Sequence, residues 1–196
     1  MGINPVFFSG GLSCIDFCNT LDYLRTPPRY DLFWNAAALL EWGQAAGILP
    51  ADLPDAAIPD EAAFARALEI RATLARLLLS FTRLETPDAA DFALFNSYLQ
   101  ETSARMGLVF TDSKGYFLAC GSDDPLEKVL CEAVRSTADL LLSNQIGRVK
   151  QCEECGWLFY DTTRNRSRRW CDMKSCGNRA KARRHYGRVR QGLKQD

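Results

Sequence analysis

The 196-residue sequence predicts an α+β fold. A mainly helical N-terminal domain with a small β element is followed by a C-terminal, treble-clef-like module organised around cysteines. Three observations predict it. Apolar residues recur at three- and four-residue steps over most of the chain, as helices with one buried face require. Two short apolar runs flanking a Gly-containing turn interrupt them as a hairpin would. Four of the eight cysteines crowd between Cys152 and Cys176.

Val6-Phe7-Phe8 before Ser9-Gly10-Gly11 reads as a short strand and turn. Leu12 to Leu21 carries Leu12, Ile15 and Cys18 near helical spacing, with Asp16, Asn19 and Thr20 on the other side. Thr26-Pro27-Pro28 breaks the chain, and Asp31 is placed to cap a helix through Leu39, Leu40 and Trp42 that stops at Gly47. Pro50 to Pro59 reads as a loop. Asp60 to Arg83 has the strongest helical pattern, with Phe64, Leu68, Leu74, Leu77, Leu78 and Phe81 inward and Arg66, Glu69, Arg71 and Arg76 interleaved. A helix from Asp88 to Arg105 should turn Phe92, Phe95, Leu99 and Met106 to the core. The runs Leu108–Phe110 and Tyr116–Leu118 form the hairpin, and Asp123-Asp124-Pro125 opens a helix to about Ser143.

Charge divides the chain where the pattern does. The whole is neutral, but residues 1–146 hold 10 Lys and Arg against 19 Asp and Glu, and residues 147–196 hold 14 against 5. We therefore divide the chain into an acidic domain, 1–146, and a basic module, 147–196. Such asymmetry points to a nucleic-acid partner, with solvated surface or docking of the basic part on the acidic one as the competing readings. Nothing approaches the ~20 apolar residues of a membrane helix, and no secretory pattern stands at the N-terminus. The expectation is a soluble, cytoplasmic protein without a membrane partner.

Cys152-Glu-Glu-Cys155 and Cys171-Asp-Met-Lys-Ser-Cys176 are the most specific pattern. A pair of cysteines two residues apart turns both sulfurs onto one ion, and the second pair completes a tetrahedron of thiolates that suits one structural Zn²⁺. An iron–sulfur cluster has the same donors, and a redox pair would need a βαβ context that is missing here. Trp157–Tyr160 and Arg169-Trp170 would form a hairpin around the turn Asp161–Ser167. Ala182, Tyr186, Val189 and Leu193 then mark an amphipathic helix beginning near Cys176. Loss of one ligand, as in Cys155→Ser, should melt this tail and spare much of the body.

The candidate nucleic-acid contacts are Arg164, Arg166, Arg168 and Arg169 on the loop, and Arg179, Lys181, Arg183, Arg184 and Arg188 on the helix. Guanidinium forks beside one another suit phosphates and guanine edges. The thiolates also carry negative charge, which a share of these cations would balance. DNA is the favoured partner, with RNA or a ribosomal site as the alternative. Trp157, Phe159 and Trp170 read as a miniature core. Asp16, Asn19 and Thr20, one helix face, could converge on a small-molecule effector or simply make buried hydrogen bonds. No Gly-rich phosphate loop, nucleophile elbow or His-based metal motif suggests an enzyme.

Two stretches resemble a known family. Cys152-Glu-Glu-Cys155, Phe159 with Asp161, Trp170-Cys171-Asp-Met173 and Cys176-Gly177-Asn178-Arg179 with Lys181 resemble the bacterial CGNR zinc finger. Gly10-Gly11-Leu12, Ile15-Asp16-Phe17-Cys18-Asn19-Thr20 and Ala38-Leu-Leu-Glu-Trp42 resemble the ABATE domain that precedes that finger. Thr163 stands where the finger more often has Ser, and Cys18 where the N-terminal motif more often has Val. The resemblance implies a stress-induced transcriptional regulator whose finger binds DNA; if the finger does so, the N-terminal domain is expected to sense a ligand or form a homodimer.

Overall fold

The computed structural model describes residues 5–22, 28–53, 58–112 and 115–192. A 3₁₀ turn at Pro5–Phe8 leads into α1 (Ser13–Cys18), α2 (Ala36–Ala45), α3 (Glu61–Thr82) and α4 (Ala89–Arg105). The antiparallel hairpin β1 (Met106–Thr111) and β2 (Gly115–Cys120) follows, then α5 (Pro125–Leu142). A second antiparallel pair, β3 (Val149–Gln151) and β4 (Leu158–Tyr160), precedes a π-helical turn at Met173–Gly177 and α6 (Asn178–Gly192). The α+β class, a helical body followed by a small cysteine module, is what the patterning predicts.

The helix starts follow capping chemistry. Asp60 Oδ1 accepts from Ala63 N at 2.8 Å, Asp88 Oδ1 from Ala90 N at 2.8 Å and Asp124 Oδ1 from Leu126 N at 2.8 Å, each satisfying a backbone donor the first turn leaves open. α2 departs from expectation here. Its cap is Asn35, whose Oδ1 accepts from Ala38 N, because Asp31 has another task. Arg71 of α3, one of the charges interleaved in its apolar pattern, is 3% exposed and donates to both Asp31 oxygens at 2.6 and 2.8 Å and to Thr20 Oγ1 at 3.1 Å. Its guanidinium lies 4.9 Å from the centre of the Phe33 ring. A buried charge persists only with partners of this quality.

Short α1 sits at the centre, packed by α3, α5 and β4. Ile15, Phe17 and Cys18 are fully buried, and Phe8, Phe17 and Phe33 surround the Trp42 ring at 5.6–6.0 Å. Val149 and Leu158 belong to this same core, so the hydrophobic interior continues past residue 146 into the cysteine module.

Other expectations are corrected. The segment through Val6 to Phe8 is a 3₁₀ turn, and among the described residues no strand pairs with it. The N-terminal helix ends at Cys18, and Leu21 instead bridges to Asp31. Phe95 is buried, but Phe92 is 44% exposed and Met106 opens β1. The β1–β2 hairpin leaves Leu108, Phe110, Tyr116 and Leu118 exposed. Residues Thr26 and Pro27 of the chain break, 54–57 of the loop and Leu193 of the helical stripe lie outside the described residues. No helix among the described residues is long and apolar enough to cross a membrane.

Candidate functional site

The first cysteine pair sits on the turn between β3 and β4. Cys152 N donates to Trp157 O at 2.7 Å and Gly156 N to Cys152 O at 2.8 Å, closing a knuckle. Gly156 takes φ +78°, a left-handed conformation costly to any residue with a Cβ. The second pair comes from the other side. Asp172 Oδ2 caps Ser175 N at 2.7 Å and starts the turn that carries Cys176 into α6. The strands of the module thus differ from the expected ones: β4 pairs with β3, upstream of the ligands, and Arg169-Trp170 form no strand. Val149 is apolar and buried, which favours the upstream partner.

All four sulfurs lie within 4.8 Å of one another. Cys155 to Cys171 is 3.6 Å and Cys171 to Cys176 is 3.7 Å. Zinc held at 2.3 Å by a sulfur tetrahedron sets its ligands about 3.8 Å apart, so the cluster fits one structural zinc. Its electrostatics agree. Hydrogen bonds from Cys155 and Cys171 drive the Cys152 thiol far below its usual range, while those same contacts push Cys155 and Cys171 up. A dication held between thiols is what lets such crowded sulfurs ionise together. Phe159, fully buried, packs with the cysteines, and Trp157 and Trp170 lie partly buried against them.

The loop after β4 is braced from within. Burial pushes the Asp161 carboxyl up, but Lys150 Nζ at 2.8 Å, Thr163 Oγ1 at 2.6 Å, Thr163 N at 3.0 Å and Arg168 N at 2.9 Å pull it well below the carboxylate range. Arg148 donates to Asp161 O and Thr163 O at 3.0 and 3.1 Å. Asp161, Lys150 and Arg148 were not singled out by spacing. An Asp directly before two Thr is an Asx-turn signal that marks the first of them.

The nine predicted cations separate into groups. Arg168 is a strut: it donates to the Trp170 carbonyl at 3.1 Å and to the Cys171 carbonyl, over the Phe159 ring at 4.9 Å. Its guanidinium is thus engaged inside the module. Arg169 holds Glu153 at 2.7 Å, Arg183 holds Glu154, and Arg179 donates to Cys176 Sγ at 3.0 Å. These three balance the knuckle's own negative charge. Arg164, Arg166, Lys181 and Arg184 are exposed, and no hydrogen bond or ion pair engages their side chains among the described residues. Arg188 lies on α6 where only the backbone course is described. Ala182 and Tyr186 of the expected apolar stripe are exposed, Tyr186 by 72%.

The predicted N-terminal trio does not converge. Asn19 Nδ2 donates to Leu158 O at 2.8 Å, and its Oδ1 accepts from Leu158 N at 3.0 Å, so the amide extends β4 as a neighbouring strand would. Thr20 Oγ1 donates to Phe17 O at 2.7 Å and accepts from Arg71. Asp16 faces elsewhere and accepts from Gly10 N at 2.7 Å. All three therefore make buried hydrogen bonds, and they make them to different parts of the fold.

Residues 11–144 match the ABATE family, described as "Putative stress-induced transcription regulator". The chain belongs to the ABATE family. Residues 148–189 of this ABATE chain match the CGNR zinc finger, so the two motifs occur in the expected order. No curated protein matches it.

Proposed function

We propose that this ABATE protein is a DNA-binding transcriptional regulator whose zinc finger contacts the duplex and whose N-terminal domain governs it. The observation that carries the reading is the set of four unengaged cations, Arg164, Arg166, Lys181 and Arg184, beside Arg168, Arg169, Arg179 and Arg183, which are engaged within the module. Unpaired guanidinium and ammonium groups on a braced loop and a helix are free to displace counterions from phosphates. Lys181 and Arg184 lie three residues apart and so share one face of α6. A single finger covers little duplex, so the proposal includes two copies on one site. Zinc is structural in it: four protein ligands leave no open position for substrate, and neither matched family is enzymatic.

The test is selection from random duplex DNA run beside a random RNA pool. Enrichment of a duplex motif is expected, and enrichment from the RNA pool alone would replace this reading with the RNA-bound one. Arg166→Ala and Arg184→Ala should each weaken binding and lower the slope of log affinity against log salt by about one. Arg183→Ala is a poorer probe because it strands the half-buried Glu154.

A further inference from the structure

A cleft of about 700 Å³ opens between the Gly10–Asp16 segment, α5 and β4, on the seam of body and finger. Asp16 forms part of its wall and is 9% exposed. Its carboxylate accepts one hydrogen bond, from Gly10 N to Oδ1 at 2.7 Å, and among the described residues no donor or cation reaches Oδ2. Asp161 shows what a settled carboxylate looks like in this chain: fully buried, it is met by Lys150, Thr163 and Arg168 N. A buried carboxylate with one neutral donor is poorly compensated, and burial raises Asp16 to about 7 against the weaker pull of the Gly10 amide.

The charges around it are of one sign. Arg135, the cation on this wall, is held by Glu132 at 2.7 Å and by Asp139. With Asp16, three carboxylates and one guanidinium line the cleft, a formal excess of two negative charges when Asp16 is ionised. Leu12, Phe8 and Leu140 supply apolar surface between them. The pocket wall is also shaped by sequence: a Cβ on Gly10 would stand 2.6 Å from Asp16 Oδ1 and 2.5 Å from Ile15 Cγ2.

We propose that this cleft binds a small organic dication, an alkyl diammonium compound, with one ammonium group on Asp16. An anion would meet the net negative wall, and a purely apolar ligand would leave the carboxylate unmet. The inference deepens the regulatory half of the proposed function. Tyr160 of β4 lines the same cleft, and its N donates to Gly10 O at 2.7 Å, so an occupant touches the strand leading out of the zinc knuckle.

The experiment is titration calorimetry on the zinc-loaded full chain without nucleic acid, using 1,4-diaminobutane and, as the uncharged control, 1,4-butanediol at fixed ionic strength. Saturable one-to-one binding of the diamine and none of the diol is expected. Asp16→Asn, which keeps the acceptor for Gly10, should weaken binding on the order of tenfold or more. Asp139→Asn, on an exposed side chain, should weaken it several-fold and serves if the first variant does not fold. No saturable heat with the diamine at millimolar concentration, equal binding of the diol, or undiminished binding by the variants would each overturn the proposal. Because no nucleic acid is present, any of these would leave the finger's target unaffected.

Discussion

Asp16 and Asp161 are chemically identical and behave oppositely because of their neighbours. Asp16 has a folded pKa raised to about 7 by burial, above its ordinary 3.8. A carboxyl raised in the folded state adds stability below its unfolded pKa and forfeits it as pH rises through the folded one. Between pH 6 and pH 8 the protein should therefore lose about 1 kcal/mol relative to Asp16→Asn. Urea midpoints of the two zinc-loaded proteins across that range check it; a constant difference would mean that Asp16 is compensated. Of this, sequence showed the helix face but not the partners. Asp16, Asn19 and Thr20 share a face of the predicted helix, yet they look toward a cleft, a strand and an arginine. Spacing reports which residues are neighbours on one element and is silent about which distant element each one meets. The metal ligands were legible for the converse reason, since chelation by paired cysteines is fixed by local spacing.

At the scale of elements, one amide adds polar pairing to the apolar packing of α1 on β4. Asn19 satisfies both the N–H and the C=O of Leu158, a residue 3% exposed. Asn19→Ala leaves a buried donor and a buried acceptor without partners, an expected loss of about 2–4 kcal/mol. Asn19→Asp should not restore it, because a carboxylate cannot donate to Leu158 O. Equilibrium urea unfolding measures both, and a loss under 1 kcal/mol for the alanine variant would show that water replaces the amide. Helices were readable in sequence because caps and apolar steps are local: Asp60, Asp88 and Asp124 each start a helix as expected. The pairing of β3 was not. Val149-Lys150-Gln151 is too short to alternate visibly, and its partner was fixed by the knuckle that follows and by the body's core.

For the whole molecule, the acidic body and basic finger are separable in charge but continuous in packing. Val149 and Leu158 lie in the core that α1 and α3 share, and Arg71 fastens Asp31 and Thr20 behind them. Metal loss should therefore reach further than the tail. Removing zinc with a chelator, or by Cys155→Ser, is expected to raise amide hydrogen exchange in α1 and in the part of α3 facing β3 as well as throughout the finger. Exchange confined to residues after 147 would restore the simpler expectation of an independent tail. α4 and the β1–β2 hairpin, which make no contact with the finger's core among the described residues, should keep their protection.

The Asn19 clamp has a further consequence for how the chain is made. Its two halves are 139 residues apart, so at about 5–20 residues per second the amide waits roughly 7–28 s for Leu158 to be synthesised. Until Leu158 arrives, whatever part of the body has formed has an open apolar face and an unanswered polar group where the strand will sit. Folding must close last at its first helix, and a ribosome that pauses within the cysteine segment would hold the body unfinished.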